Sequence, residues 1–314
     1  MISWFIGAGS FAALCLRHLT TDYGMAFDKI ITSEPTRGGR GMKERPSLVE
    51  EVAKELGFPV CRTGKLSQDN GLKEALLTSM PEIIVVVDFG QKVLDPFLSV
   101  PRWGCLNIHP SLLPQYRGAA PVQRAIMDGC QETGVSVFRL VEEMDAGPIL
   151  GQKRIPIDSH ITSGELFQIL AKEGGNLLKV VVKSCIDGNS EVREQNSKLA
   201  SYAPKIEKRE KRETYLDWNQ KAAHFHNLVR ALNPQPGAYV LVKGRRLKIW
   251  KTALGDTFSG SPGEVVGFHD EFPEIGVNEG SVLLLEVQPE GRRVQSGAEW
   301  SRGIHLKKGD YLDG

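Results

Sequence analysis

Apolar runs of strand length alternate with amphipathic helical stretches through the first third of the chain. Ile2-Ser3-Trp4-Phe5-Ile6 reads as a buried strand, Gly7-Ala8-Gly9-Ser10 as a turn, and Phe11 to His18 as a helix. A second strand fits Asp28 to Thr32, followed by a glycine- and arginine-rich loop from Glu34 to Pro46. Ser47 with Glu50 three residues on is a capping pattern and predicts a helix over Ser47 to Leu56. Phe58 to Cys61 reads as a short strand and Leu72 to Thr78 as a helix. Ile83-Ile84-Val85-Val86-Val87 is an unbroken β-branched run, the mark of a strand covered on both faces, and Gly104 to His109 is the next strand. Strands separated by helices predict an α/β fold: a Rossmann-like domain on a parallel sheet with right-handed crossovers.

The texture changes after Asp187-Gly188-Asn189-Ser190. Residues 190–213 are polar and charged, ending in Glu207-Lys208-Arg209-Glu210-Lys211-Arg212-Glu213. Ala222 to Leu232 is one more helix, broken by Asn233-Pro234-Gln235-Pro236-Gly237. Short alternating runs then dominate (Tyr239–Val242, Arg246–Trp250, Gly263–Gly267 and Ser281–Val287), which predicts a small OB-like β-barrel. The expected organisation is a catalytic domain over 1–189, a linker over 190–205 and a barrel domain over 206–314.

Composition narrows the class. The 314 residues are 41% hydrophobic and 25% charged, which excludes a disordered chain, a collagen-like fibre and a coiled coil. The net charge of +1 places any nucleic-acid contact in local patches rather than in a generally basic protein. Cys15, Cys61, Cys105, Cys130 and Cys185 form no CxxC pair, so reduced thiols in a cytoplasmic protein are expected, with no zinc site. Residues 1–16 are uncharged, but Arg17 follows the apolar part instead of a basic residue preceding it. A strand and helix explain them better than an export signal. No run approaches the roughly 20 apolar residues of a spanning helix.

Gly7-Ala8-Gly9-Ser10-Phe11-Ala12 fits the dinucleotide-binding fingerprint between a strand and a helix, and Glu34 lies where the ribose-binding acid would be. A nicotinamide-dependent oxidoreductase using Gly7, Gly9, Ala12 and Glu34 is therefore one reading of this segment. A tight turn that needs small residues for space is the other.

The richest segment is Gly104-Cys105-Leu106-Asn107-Ile108-His109-Pro110-Ser111-Leu112-Leu113-Pro114. Side chains alternate along a strand, so Asn107 and His109 share a face, and Pro110 ends the ladder. Both then sit at the carboxyl end of a strand, where open α/β sheets place ligands. Val141-Glu142-Glu143-Met144-Asp145-Ala146-Gly147-Pro148 supplies an acid in a loop. An amide N–H and an imidazole N–H suit an oxyanion on a carbonyl carbon, and a carboxylate can orient the imidazole and accept a proton. No Ser or Cys nucleophile with a neighbouring base is apparent, so direct acyl transfer to an amine fits best.

Asn107-x-His109-Pro110-Ser111-Leu112-Leu113-Pro114, Tyr116-Arg117-Gly118-Ala119-Ala120-Pro121 and Met144-Asp145-Ala146-Gly147-Pro148-Ile149 together resemble the 10-formyltetrahydrofolate-dependent formyltransferases. The likeness continues through Gly39-Arg40-Gly41-x-Lys43, Tyr202-Ala203-Pro204-Lys205-Ile206, Asp217-Trp218 and Arg230-Ala231-Leu232-Asn233-Pro234-x-Pro236-Gly237-Ala238. Total length, the arginine loop and Asn-Pro-x-Pro-Gly are similar to members that act on initiator methionyl-tRNA. The resemblance implies transfer of the formyl group of 10-formyltetrahydrofolate to the methionine α-amino group on that tRNA, by a monomer without a metal. It implies Asn107, His109 and Asp145 as catalytic residues. It implies a folate site at Val86, Val87, Asp88, Phe89 and Gly90, at Ser111, Leu112, Leu113 and Pro114, and at Val141, Glu142, Glu143 and Met144. For tRNA, the basic groups expected are Arg37, Arg40, Lys43, Arg45, Lys205, Lys243, Arg245, Arg246 and Lys248. A formyltransferase for a small amine, or a formyltetrahydrofolate hydrolase, would share the trio without needing the arginine loop or the barrel. The family's usual Gly-Thr-Pro turn is replaced here by Gly7-Ala8-Gly9-Ser10.

Overall fold

The computed structural model describes residues 1–38, 43–206, 211–256 and 260–312. The chain divides into two compact units, the first made of Met1–Pro121, Glu132–Pro156 and Phe167–Pro204. Its strands are β1 (Ser3–Gly7), β2 (Lys29–Ser33), β3 (Thr36–Gly38), β4 (Lys43–Arg45), β5 (Val60–Thr63), β6 (Ile83–Val87), β7 (Cys105–His109), β8 (Glu132–Arg139) and β9 (Ile149–Pro156). The accompanying helices are α1 (Ser10–Thr21), α2 (Leu48–Glu55), α3 (Asn70–Ser79) and, from Phe167 on, α5 (Ser163–Ile186); α4 (Pro121–Met127), between β7 and β8 in the chain, groups from Val122 with the second unit. Strands β3 and β4 form a separate hairpin.

The main sheet has the order β5-β2-β1-β6-β7-β8-β9. Strands β5 to β7 are parallel, and the switch point lies between β1 and β6. Each side chain of β6 is 0–3% exposed, as an unbroken β-branched run demands. Each such burial stabilises by roughly 1.5–3 kcal/mol. Ser47 caps α2 by accepting from the Glu50 N–H at 3.0 Å, the predicted pattern.

The fully parallel sheet expected from sequence is corrected at its far edge. Strand β8 pairs antiparallel with β7, and β9 antiparallel with β8. Residues 140–148 are too few for the dozen-residue crossover that parallel pairing requires. Helix α5 lies against the back of β7. A Cβ on its Gly174 would stand 2.6 Å from Ile108 Cγ2, and one on Gly175 2.8 Å from the Tyr23 ring. Two helical glycines cost about 1 kcal/mol each relative to alanine, and here they allow close approach to the sheet.

The expected linker is bonded into the first unit over most of its length. Arg193 pairs with Ile149, and Tyr202 with Arg117. Ala203 N donates to Arg117 O at 2.7 Å. Conversely, Val122–Gln131 and Ile157–Leu166 group with Lys205–Gly314 in the second unit, although both fall within the expected catalytic domain.

The second unit holds α6 (Lys211–Thr214), α7 (Ala222–Ala231), β10 (Ala238–Val242), β11 (Arg245–Leu254), β12 (Val265–His269), β13 (Phe272–Gly276), β14 (Ser281–Pro289), β15 (Gln295–Ser296) and α8 (Gly297–Gly303). Its antiparallel sheet runs β10-β11-β14-β13-β12 with β15 on β14, consistent with the barrel-like domain expected. An irregularity at Trp250 bends the long β11. Trp218 stacks on Phe225 at 4.9 Å in the core of this unit. His226 is wedged between Thr252 Oγ1 and Ser159 O, both at 2.9 Å, and burial holds its pKa below the ordinary value.

Candidate active site

Strand alternation places Asn107 and His109 on one face of β7, opposite Ile108, as the spacing predicts. The His109 ring is buried and meets Phe138 of β8 edge-on at 6.4 Å. Its Nε2 lies 2.9 Å from Tyr116 O. A carbonyl only accepts, so Nε2 carries a hydrogen, and a neutral ring keeps its lone pair on Nδ1. Nδ1 lies 3.8 Å from Asp145 Oδ2, beyond direct hydrogen-bond range. Among the described residues, no hydrogen bond engages the half-buried Asn107 amide.

The loop carrying Asp145 leaves the sheet beside the start of β7, where Leu140 N donates to Cys105 O at 2.8 Å. It then runs along β7 to bring Asp145 to His109 at the far end. Asp145 adopts φ +51°, the left-handed region, and its Oδ2 accepts from Gly118 N at 2.8 Å. Beneath the loop lies Arg117, 2% exposed. Its guanidinium donates to Gln195 Oε1 at 3.2 and 2.9 Å and to Glu143 Oε1 at 3.3 Å. Gln195 Nε2 donates in turn to Asp145 O at 2.8 Å and Gly147 O at 2.7 Å. Sequence reasoning quoted Arg117 as part of a motif but missed its function, and missed Gln195 altogether. No local pattern marks a glutamine whose partners lie 50 and 78 residues away.

The residues expected around the folate divide by exposure. Val86 and Phe89 belong to a buried core cluster and Val87 is fully buried, so from Val86 to Gly90 only Asp88 and Gly90 are exposed. Asp88 and Gly90 both have positive φ, which turns the chain sharply there. The Ser111 hydroxyl is fully buried and donates to Gln115 O at 2.6 Å. Leu112 packs against Gly134, where a Cβ would sit 2.5 Å from its Cδ2. Leu113 packs with Phe138 and Ile149. Ser111 and Leu113 are buried in the scaffold, while Leu112 and Pro114 are half-buried beside them. Val141, Glu142, Glu143 and Met144 form an exposed loop, with Val141 at 39% and Met144 at 56% exposure. Two exposed apolar side chains on the loop that carries Asp145 suit an aromatic ring.

The glycine turn resolves differently from a dinucleotide site. Gly9 has φ −78° and ψ −178°, extended backbone that any residue adopts. Its reason is space: a Cβ there would stand 1.8 Å from Asp88 Oδ2. Asp88 O accepts from Ala8 N and Gly9 N at 3.2 and 3.1 Å, and its carboxylate accepts from the Phe11 N–H. The residue is open to solvent, yet neighbouring atoms crowd the carboxyl itself and raise its pKa. A carboxylate occupies the N-terminus of α1 where a pyrophosphate would have to bind.

The basic candidates are scattered. Arg40 and the side chains of Arg37 and Lys43 lie outside the described residues, and Arg45 is exposed on the β3–β4 hairpin. Lys243, Arg245 and Arg246 are exposed around the β10–β11 turn, with Arg246 stacked 4.3 Å over Tyr239, and Lys205 is exposed. Lys248 is half-buried: its ammonium donates to Pro236 O at 3.1 Å and lies over the Trp250 ring. Burial and then Arg246 lower its pKa. Among the described residues, no His/Cys/Asp/Glu group could hold a metal, and no helix is long and apolar enough to cross a membrane.

The family model for formyl transferase matches residues 3–182, and that for the formyl transferase C-terminal domain matches 208–305. The chain is 35% identical to a methionyl-tRNA formyltransferase of Syntrophomonas wolfei, covering 98% of this chain and 97% of that one. It is 38% identical to a methionyl-tRNA formyltransferase of Paracoccus denitrificans, covering 98% and 99%. Among solved structures it is similar in fold to WlaRD, a sugar 3N-formyltransferase (TM-score 0.64, 19% identity, 93% of this chain and 99% of that one). It is also similar to HypX from Aquifex aeolicus in complex with tetrahydrofolic acid (TM-score 0.63, 19% identity, 100% of this chain and 51% of that one). With both of the family's domains present in order, the chain belongs to the formyl transferase family.

Proposed function

We propose that this chain transfers the formyl group of 10-formyltetrahydrofolate to the α-amino group of methionine on initiator tRNA. The unengaged Asn107 amide beside the His109–Asp145 pair carries the reading, in a chain whose full-length relatives are methionyl-tRNA formyltransferases.

The free amine attacks the formyl carbon. A new C–N bond forms, the carbon's bond to N10 breaks, one proton leaves the amine and one reaches N10. Asn107 donates an amide N–H to the developing oxyanion, and His109 donates from a protonated Nδ1. One such donor is worth roughly 10²–10³ in rate. Asp145 stabilises the proton on Nδ1 and takes up the amine's proton. The amine has a reference pKa near 7.7–8.0, so roughly a tenth to a sixth of it is free base at pH 7, and that form attacks without a strong base. Val141 and Met144 cover the pteridine ring, and backbone from Val86 to Gly90 meets its polar edge. Arg37, Arg40, Lys43 and Arg45, close together in sequence, hold phosphates of the tRNA with Lys205, Lys243, Arg245 and Arg246. The reading includes a cytoplasmic location, supported by the five free cysteines, and a monomer, which solution mass checks.

Single-turnover formylation tests the proposal. With 10-formyltetrahydrofolate supplied, methionyl-initiator tRNA should be formylated rapidly and free methionine should not. Folate turnover without tRNA product would instead assign the trio to a small amine or water.

A further inference from the structure

Asp145 stands in a left-handed conformation that a non-glycine residue adopts at a cost, on a loop whose outer residues are exposed. Its carboxylate makes a hydrogen bond to Gly118 N, but its backbone carbonyl points away from the reacting side, into the Arg117–Gln195 layer. There the Gln195 amide uses every bond it can make in the plane. Its oxygen accepts two guanidinium N–H groups, and its nitrogen donates to Asp145 O and Gly147 O. The amide has only one workable orientation. Reversed, it would set NH2 against two donors and oxygen against two acceptors. Arg117 is fully buried, so it cannot turn to water for another partner.

We infer that Gln195 is a positioning residue for the formyl-transfer reaction: it fixes the backbone on both sides of Ala146 and thereby aims the Asp145 carboxylate at His109. The inference rests on the catalytic reading of Asp145 given above. Gln195 touches neither His109 nor Asn107, so its whole effect passes through the 145–147 backbone. Arg117 orients Gln195 and thus acts one step further back. The arrangement also gives residues 190–204 a purpose: this stretch carries the key that locks the loop.

Two substitutions separate this role from general stability. Gln195→Glu keeps the acceptor for Arg117, now as an ion pair, but turns an oxygen in place of Nε2 toward the carbonyls of Asp145 and Gly147. Gln195→Leu keeps the bulk and removes all four bonds. The single-turnover rate of methionyl-tRNA formylation is measured in the full chain, alone and with Asp145→Asn, along with tetrahydrofolate binding and melting temperature. Both Gln195 variants should slow the chemical step about tenfold or more, with folate affinity changed less than about threefold. In the Asp145→Asn background each should cost less than about twofold, because two changes acting through one group are not additive. Full carry-over of the Gln195 loss into that background would overturn the inference, as would an unaltered rate in Gln195→Glu. If Gln195→Leu fails to fold, Gln195→Glu decides alone, since its pairing with Arg117 is preserved. If Asp145→Asn by itself leaves the rate unchanged, the catalytic reading of Asp145 fails first, and the positioning role with it.

Discussion

Replacing Gly9 by alanine probes the turn that imitates a dinucleotide site. The backbone at Gly9 is ordinary extended chain, so alanine brings no torsional penalty there. Its Cβ would stand 1.8 Å from Asp88 Oδ2 and 2.4 Å from Cγ, whereas ordinary contact begins near 3.4 Å. The carboxyl is the end of a side chain that opens to solvent, so it swings away instead of straining the core. What is lost is the bond to Phe11 N–H that caps α1, because the N-cap residue itself supplies no side-chain bond. A cap of this kind contributes about 1 kcal/mol, within a range of roughly 0.5–2. Asp88→Ala removes the same bond and puts an alanine in the left-handed region, which aspartate tolerates better. Gly9→Ala should therefore lower stability by about 1 kcal/mol and Asp88→Ala by at least that, with the double variant no worse than Asp88→Ala. In a unit of this size that is a shift of roughly 2–4 °C in Tm. Calorimetry gives the shifts, and amide exchange over residues 9–16 reports the cap directly. Additive losses would refute the reasoning, since they would mean that Gly9 is small for a reason other than Asp88.

Asn107→Ala should lower kcat roughly 10²-fold or more with folate affinity little changed, and His109→Ala should cost at least as much; an unaltered single-turnover rate would sink the oxyanion role. Arg45→Ala and Lys243→Ala should each flatten the dependence of log K for tRNA on log salt by about 0.7–0.9, whereas Lys248→Ala should leave that slope alone and lower stability, because its ammonium is already bound to Pro236 O. Glu50 is buried between Lys54 at 2.6 Å and Arg62 at 2.9 and 2.6 Å, first of all the bonds from Arg62, which lower its pKa to about 2. A carboxyl depressed in the folded state stabilises above its unfolded pKa near 4.5, and that contribution disappears as pH falls toward 2. Glu50→Gln should cost on the order of 2 kcal/mol at pH 7, a figure reduced for the partly exposed partners, and next to nothing at pH 2 by thermal melts.

The strands of the parallel core were legible because their burial is written into composition: Ile83–Val87 can hardly be anything but a covered strand. Strands β8 and β9 were not. Gly134 interrupts the first, and Gly151, Gln152, Lys153 and Arg154 make the second read as polar loop, yet the two hold each other by antiparallel pairing. Asn107 and His109 were legible through two-residue alternation, and Asp145 through its motif. The motif could not reveal that Ser111 and Leu113 face inward, or that Tyr116 O rather than Asp145 takes the direct bond of the imidazole. The fingerprint at residues 7–12 misled because glycine spacing records the need for space and not what fills it. Here the occupant is a carboxylate from the next strand over.

The lock on the Asp145 loop has a consequence for how the enzyme is made. Gln195 follows Arg117 by 78 residues, which at about 5–20 residues per second is roughly 4–16 s of synthesis. Throughout that interval the nascent chain already carries Asn107, His109 and, later, Asp145, while Arg117 still lacks the acceptor that fixes it in the interior. A ribosome-bound fragment ending before residue 195 would hold the reacting side chains without the means to aim them. Activity would then begin only once the chain has passed that point, a built-in order in which chemistry waits for synthesis.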